Sequence, residues 1–270
     1  SLDENANGVY IISATPFKSN GAIDYNSIDT LVEFYLEKEV SGITILGMMG
    51  EADKMSVDEA KDFMAYTVKR VNGRVPIIVG ISDPGINNLG ALAKASMDAG
   101  CCGVMVAPAN GLRTEENIIK YFIQVFESLG RDIPVCYQDY PQSTNTFISV
   151  DTVNILIREF SQLVMFKHED CPGLTKLTKL RQSANKDDSL RRVSILVGNG
   201  GLYLPEELSR GADGAMTGFS FPEMLVEVCN LFTAGSKEVG RDIFDVYMPL
   251  VRYEQQPGFG LAVRKEILRR

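Results

Sequence analysis

Eight times along the 270-residue chain a short apolar run gives way to a longer amphipathic stretch, and that alternation limits the fold more than any other feature. The runs fall at 8–12, 42–46, 75–79, 103–106, 133–137, 163–169, 194–197 and 213–217. Apolar runs of this length, bounded by turn residues, read as buried strands. Helical spacing separates them: from Asp24 onward, Ile28, Leu31, Val32, Tyr35 and Leu36 share one face, as do Ile118, Phe122, Val125 and Phe126 further on. Ser56 and Glu59 have the spacing of a capping box. Eight strand–helix alternations, at intervals of very roughly 25–30 residues, predict an α/β fold, the (β/α)8 TIM barrel. Helices expected at 221–232 and 239–253 close it. The barrel is expected over residues 1–235, with a C-terminal helical extension over 236–270 that is open to truncation. An open doubly wound sheet is the alternative, although no G-x-G-x-x-G follows a strand and opens a helix.

Composition narrows the partners. A formal charge of −8 argues against a nucleic-acid surface, which needs clustered Lys and Arg to neutralise phosphates; a small molecule is the expected ligand. No apolar run approaches the ~18 residues of a membrane span, and no membrane partner is expected. The acidic start Ser1-Leu2-Asp3-Glu4 lacks the basic and apolar regions of a signal peptide, so a cytoplasmic location is expected, with the natural start upstream of Ser1. Five scattered cysteines, no C-x-x-C pair and one histidine read as a reduced pattern without a metal site. Cys136 and Cys229 read as core residues, whereas Cys171 lies close after Lys167.

The sixth run, Leu163 to Glu169, ends on a lysine. Barrels place their chemistry at the C-terminal ends of strands, where Lys167 sits. Strand alternation puts Met165, Lys167 and Glu169 on one face and Phe166 and His168 on the other. An amine held among apolar neighbours is expected to have its pKa lowered from about 10.4 towards roughly 7–8, and a neutral amine can attack a ketone. The alternative is a surface lysine at a strand end, paired with Glu169 or Asp170.

Loops on the same rim supply partners. Gly47-Met48-Met49-Gly50 is a glycine-bounded turn able to offer backbone N–H groups to a carboxylate, or else an ordinary strand–helix turn. Val135, Tyr137 and Asp139 alternate onto one face, which would aim the Tyr137 phenol at the interior end of the barrel, where it could relay protons; a tyrosine capping the core is the alternative. Gly198-Asn199-Gly200-Gly201 and Thr217-Gly218-Phe219-Ser220 let a ligand approach the backbone, or pack as two tight turns.

The spacing of Thr15-Pro16-Phe17, Gly47-Met48-Met49-Gly50-Glu51, Tyr137, Lys167 and Gly211-Ala212-Asp213-Gly214 resembles the dihydrodipicolinate synthase and N-acetylneuraminate lyase family of class I aldolases, over nearly the whole chain. The resemblance implies a homo-oligomer, a dimer or tetramer, that uses no metal or organic cofactor. It implies that Lys167 forms an imine with pyruvate or another 2-oxo acid, that Tyr137 moves protons and that Met48, Met49 and Gly50 bind the carboxylate. Thr15, Asp139, Gly198, Asn199 and Thr217 complete the candidate substrate contacts. Departures are equally specific. Met48 and Met49 stand where hydroxyl residues are usual, Asn110 stands near the place of a second tyrosine, and Pro141-Gln142-Ser143-Thr144 occupies the region of a carboxylate-binding arginine. Tyr137-Gln138-Asp139-Tyr140-Pro141 looks closer to the branch acting on 2-oxo-3-deoxy sugar acids by dehydration or aldol cleavage. The alternatives are dihydrodipicolinate synthase proper, condensing pyruvate with aspartate semialdehyde, and a non-catalytic protein that binds a 2-oxo acid.

Overall fold

All eight apolar runs form strands in the computed structural model, which describes residues 1–270. They are β1 (Gly8–Ile12), β2 (Gly42–Ile45), β3 (Ile77–Gly80), β4 (Gly103–Val106), β5 (Val135–Asp139), β6 (Leu163–His168), β7 (Ser194–Val197) and β8 (Gly214–Ala215). Each pairs in parallel with the next, and β8 returns to β1, so the sheet is a closed barrel as expected. Around it stand α1 (Tyr25–Glu37), α2 (Val57–Val71), α3 (Ile86–Ala99), α4 (Glu115–Leu129), α5 (Pro141–Thr144), α6 (Val150–Glu159), α7 (Leu174–Lys186), α8 (Leu204–Ser209) and α9 (Pro222–Thr233). Two more helices follow, α10 (Lys237–Glu254) and α11 (Gly260–Arg269). The Ser56–Glu59 capping box forms at the start of α2. Helix α8 escapes the periodicity because six residues are too few to establish a face. Strand β5 runs two residues past its expected end, because Gln138 and Asp139 pair with Lys167 and His168.

Alternation along the strands divides the apolar residues into two cores. Tyr10, Ile12, Ile78, Met105, Cys136, Met165, Leu196 and Met216 fill the barrel. Val9, Ile11, Ile43, Val79, Val106, Phe166 and Ile195 point outward into the larger core beneath the helices, where Phe122, Phe126 and Leu156 cover them. Helix α11 fastens across the rim: Lys265 Nζ donates to the Thr15 carbonyl at 2.9 Å and to Glu51 Oε2 at 2.5 Å.

Closure requires β1 and β8 to approach where Gly8 pairs with Gly214. A Cβ on Gly214 would overlap the Gly8 carbonyl oxygen and crowd its amide nitrogen, and backbone cannot step aside as a flexible side chain can. Gly214→Ala is therefore expected to destabilise the fold by more than about 4 kcal/mol, at the severe end for a single substitution. Urea denaturation followed by circular dichroism measures this; a midpoint close to that of the parent chain would contradict it.

Candidate active site

At the C-terminal ends of the strands lies a cavity of about 240 Å³, lined among others by Met48, Met49, Gln138, Tyr140, Lys167 and Glu169. Lys167 reaches it by register. It pairs with Gln138 on one side and Leu196 on the other, and Leu196 belongs to the interior core. In-register residues of neighbouring strands face the same side, so Gln138 and Lys167 both point inward. Only 5% of Lys167 is exposed, which rules out the surface lysine.

The surroundings of Lys167 differ from the apolar shell expected from sequence. Glu169, two residues on and therefore on the same face, places Oε1 3.0 Å from Lys167 Nζ. Gln138 Nε2 donates to the same oxygen at 3.0 Å, the Asn199 amide N–H donates to Glu169 Oε2 at 3.4 Å, and Asn199 Nδ2 donates to the Glu169 carbonyl at 3.1 Å. Gly198 makes room for this carboxylate, because a Cβ there would overlap it. An ammonium must shed a proton before it can act as a nucleophile, and Glu169 is the acceptor within reach. Tyr140 also lines the cavity. Burial and then Glu169 push its phenol up, while Arg264 opposes them.

Tyr137 and Asp139 are not part of this group. Tyr137 pairs in register with Phe166 and faces the helices, with its ring 4.8 Å from that of Phe122 and 5.4 Å from that of Phe166. Its hydroxyl has no hydrogen-bond partner, and burial pushes the phenol well above its ordinary value. The expectation that it points to the interior is corrected: β5 is buried on both faces, so alternation groups its residues without saying which group lies inside. Asp139 shares the outward face and is held by Lys176 of α7 at 2.6 Å.

The remaining candidates divide between lining and support. Met48, Met49, Asn199 and Thr217 line the cavity. Thr15 supports it from behind, its hydroxyl donating to the Gly50 carbonyl at 2.7 Å. That bond fixes the turn after β2, in which the backbone N–H groups of Met48, Met49 and Gly50 donate to no protein group. Gly50 itself is buried. Cys171 is exposed and outside the cavity, and no three His, Cys, Asp or Glu side chains converge as a metal site. Several lining residues were missed from sequence, Glu169, Tyr140 and Arg264 among them. Glu169 was legible from alternation with Lys167 and Tyr140 from its place at the end of β5, whereas nothing local marks Arg264, which comes from α11.

Two substitutions test this arrangement. Tyr137→Phe removes a buried hydroxyl that has no partner, so it is expected to leave unfolding stability unchanged or raise it by about 1 kcal/mol, and to leave activity intact; a large loss of activity would return Tyr137 to the site. Glu207 of α8 is buried, its Oε1 lacks a partner, and burial, then Glu206 and Glu169, push its carboxyl from 4.5 up to about 8. Because the folded value lies above the unfolded one, ionisation favours unfolding, and stability is lost as pH climbs through that window. Glu207→Gln lacks this loss, so its stability relative to the parent is expected to rise by roughly 3 kcal/mol between about pH 5.5 and about pH 8.5. Urea midpoints across that range measure it, and a constant difference would contradict the assignment.

Known proteins match this chain along almost its whole length. The model of the dihydrodipicolinate synthetase family matches residues 5–267. A dihydrodipicolinate synthase from Rhodopseudomonas palustris, known from its crystal structure, is 46% identical with a TM-score of 0.96, over 99% of this chain and 88% of that one. The 4-hydroxy-tetrahydrodipicolinate synthase of Methanocaldococcus jannaschii is 29% identical over 248 residues, 91% of this chain and 82% of that protein. Its counterpart in Persephonella marina is 29% identical over 91% of this chain and 81% of that protein. With the barrel, the rim cavity and a match of this extent together, the chain belongs to the dihydrodipicolinate synthetase family and is an aldolase-type lyase.

Proposed function

We propose that this lyase works through a Schiff base on Lys167, takes a 2-oxo acid of the pyruvate or 2-oxo-3-deoxy sugar acid type, and uses no metal or organic cofactor. The observation that carries the reading is the buried Lys167 amine, 3.0 Å from Glu169 in a cavity at the strand ends. Glu169 accepts a proton from Lys167, and the free amine attacks the 2-oxo carbon. Returning that proton to the former carbonyl oxygen, with a second from the amine, releases water and leaves the imine. The protonated imine withdraws electrons from the neighbouring carbon, which favours either loss of water or aldol cleavage and condensation. Backbone N–H groups of Met48, Met49 and Gly50 supply donors for the substrate carboxylate, and the Tyr140 phenol is the proton carrier that replaces Tyr137 in this scheme. The chain acts as a homo-oligomer in the cytoplasm. A second reading, dihydrodipicolinate synthase activity, is favoured by the names of the relatives above.

Borohydride trapping tests the imine. Pyruvate and 2-oxo-3-deoxy sugar acids are expected to leave a reduced adduct on the Lys167 peptide, read by mass spectrometry, and Lys167→Ala to leave none. Glu169→Gln keeps the shape but not the base and is expected to slow trapping by about 100-fold or more. Folded protein that traps no 2-oxo acid would refute the lyase mechanism in favour of a binding protein. An assay of pyruvate condensation with aspartate semialdehyde separates the second reading from the first.

A further inference from the structure

Two cationic side chains line the cavity, Lys167 and Arg264, and the chemistry above uses only the first. Arg264 comes from α11 and is held on three sides. Its Nε donates to Glu254 Oε1 at 3.0 Å, Nη2 to Gln255 Oε1 at 2.7 Å and Nη1 to Met49 Sδ at 3.6 Å. Glu254 is buried and accepts at 3.0 Å from the Ser220 hydroxyl, so its own position is fixed. The neighbouring Lys265 bonds anchor α11 to the turns after β1 and β2. The guanidinium is thus held in place before any ligand arrives.

A guanidinium carries five N–H groups. Nε, one N–H of Nη2 and one of Nη1 are engaged, the last by a thioether, which is a weak acceptor. One N–H on each terminal nitrogen remains, and a pair of N–H groups on one guanidinium can receive a carboxylate in fork geometry. The cavity also presents Ile12, Met48, Met216 and Leu261, which cannot accept these protons strongly, and its polar residues Gln138, Tyr140, Asn199 and Thr217 accept no hydrogen bond from Arg264. A ligand with an uncharged end near Arg264 would leave partly buried charged donors unmatched, which is costly.

We infer that Arg264 is a specificity-determining residue that binds a second acidic group at the far end of the ligand, making this a site for short 2-oxo dicarboxylates. The inference rests on the 2-oxo acid reading and names its substrate class.

The test separates binding from imine chemistry. Glutarate and butyrate lack the carbonyl and cannot form an imine, so calorimetric titration reports recognition alone. Glutarate is expected to bind the parent chain about tenfold or more tighter than butyrate, in line with a charge-assisted contact. The ratio is expected to fall to about two in Arg264→Gln and to about three in Arg264→Lys, which keeps the charge but loses the fork. Circular dichroism checks that each variant is folded; should Arg264→Gln unfold, the Lys variant and the parent ratio still decide. Equal affinities in the parent, no binding of either acid at millimolar concentration, or a ratio that survives both substitutions would overturn the inference. Borohydride trapping of 2-oxoglutarate and 2-oxobutanoate on the same samples reports separately on Lys167. An adduct without the dicarboxylate preference leaves the imine standing and removes the Arg264 assignment, whereas the preference without an adduct does the reverse.

Discussion

The meeting of β1 with β8 is the constraint on which the rest of the molecule depends. Gly214 lies against the backbone of Gly8 with no room for a side chain of its own, and closing the ring leaves no free strand edge. Closure also decides parity. Once the registers around the ring are set, every second residue of each strand is committed to the interior, so Gln138, Lys167 and Leu196 share one wall while Tyr137, Phe166 and Ile195 share the outside. The site follows from that commitment, because the interior positions at the C-terminal ends converge on one axis.

Placing Lys167 and Glu169 inside an otherwise apolar barrel carries an energetic cost. Burying two charges forfeits hydration that their mutual attraction repays only with good geometry and additional hydrogen bonds, and a well-packed apolar pair would often be no less stable. The structure supplies those bonds through Gln138 and Asn199, and Gly198 supplies the space. An ion pair of doubtful benefit to stability, surrounded by such support, is more readily understood as chemistry than as packing. A similar arrangement recurs at the mouth, where Glu254 and Gln255 hold Arg264 and the Lys265 contacts hold the helix that carries it. Together the two groups place a buried amine at a strand end and a fixed cation on the lining supplied by α11.

Parts of this were legible before the fold was known, and the misses have physical causes. The lysine at the end of β6 and its shared face with Glu169 follow from a period of two, which holds in any strand. The same rule grouped Tyr137 with Asp139 correctly and then aimed them the wrong way. In a half-exposed sheet the polar residues mark the outer face, but β5 is buried on both sides, and that mark is lost. Asp139 shows how a polar residue can be buried outside the barrel, matched by Lys176 from a helix 37 residues away in the chain. Arg264 left no local sign, since an arginine near the end of an amphipathic helix is ordinary until the helix is docked.

By itself the sequence determined the alternation of elements, and hence a barrel whose chemistry lies at one rim, together with the lysine and the glycine-bounded turns on that rim. These properties are local: strand period, helix face and turn residues act over a few positions and survive without knowledge of the partners. Only the tertiary structure decided which face of β5 looks inward, that Glu169 rather than Tyr137 adjoins the amine, and that α11 brings a cation to the mouth. Those depend on register between strands and on the docking of a helix nearly 100 residues beyond Lys167, and both are set by packing the whole ring at once rather than by any stretch of it.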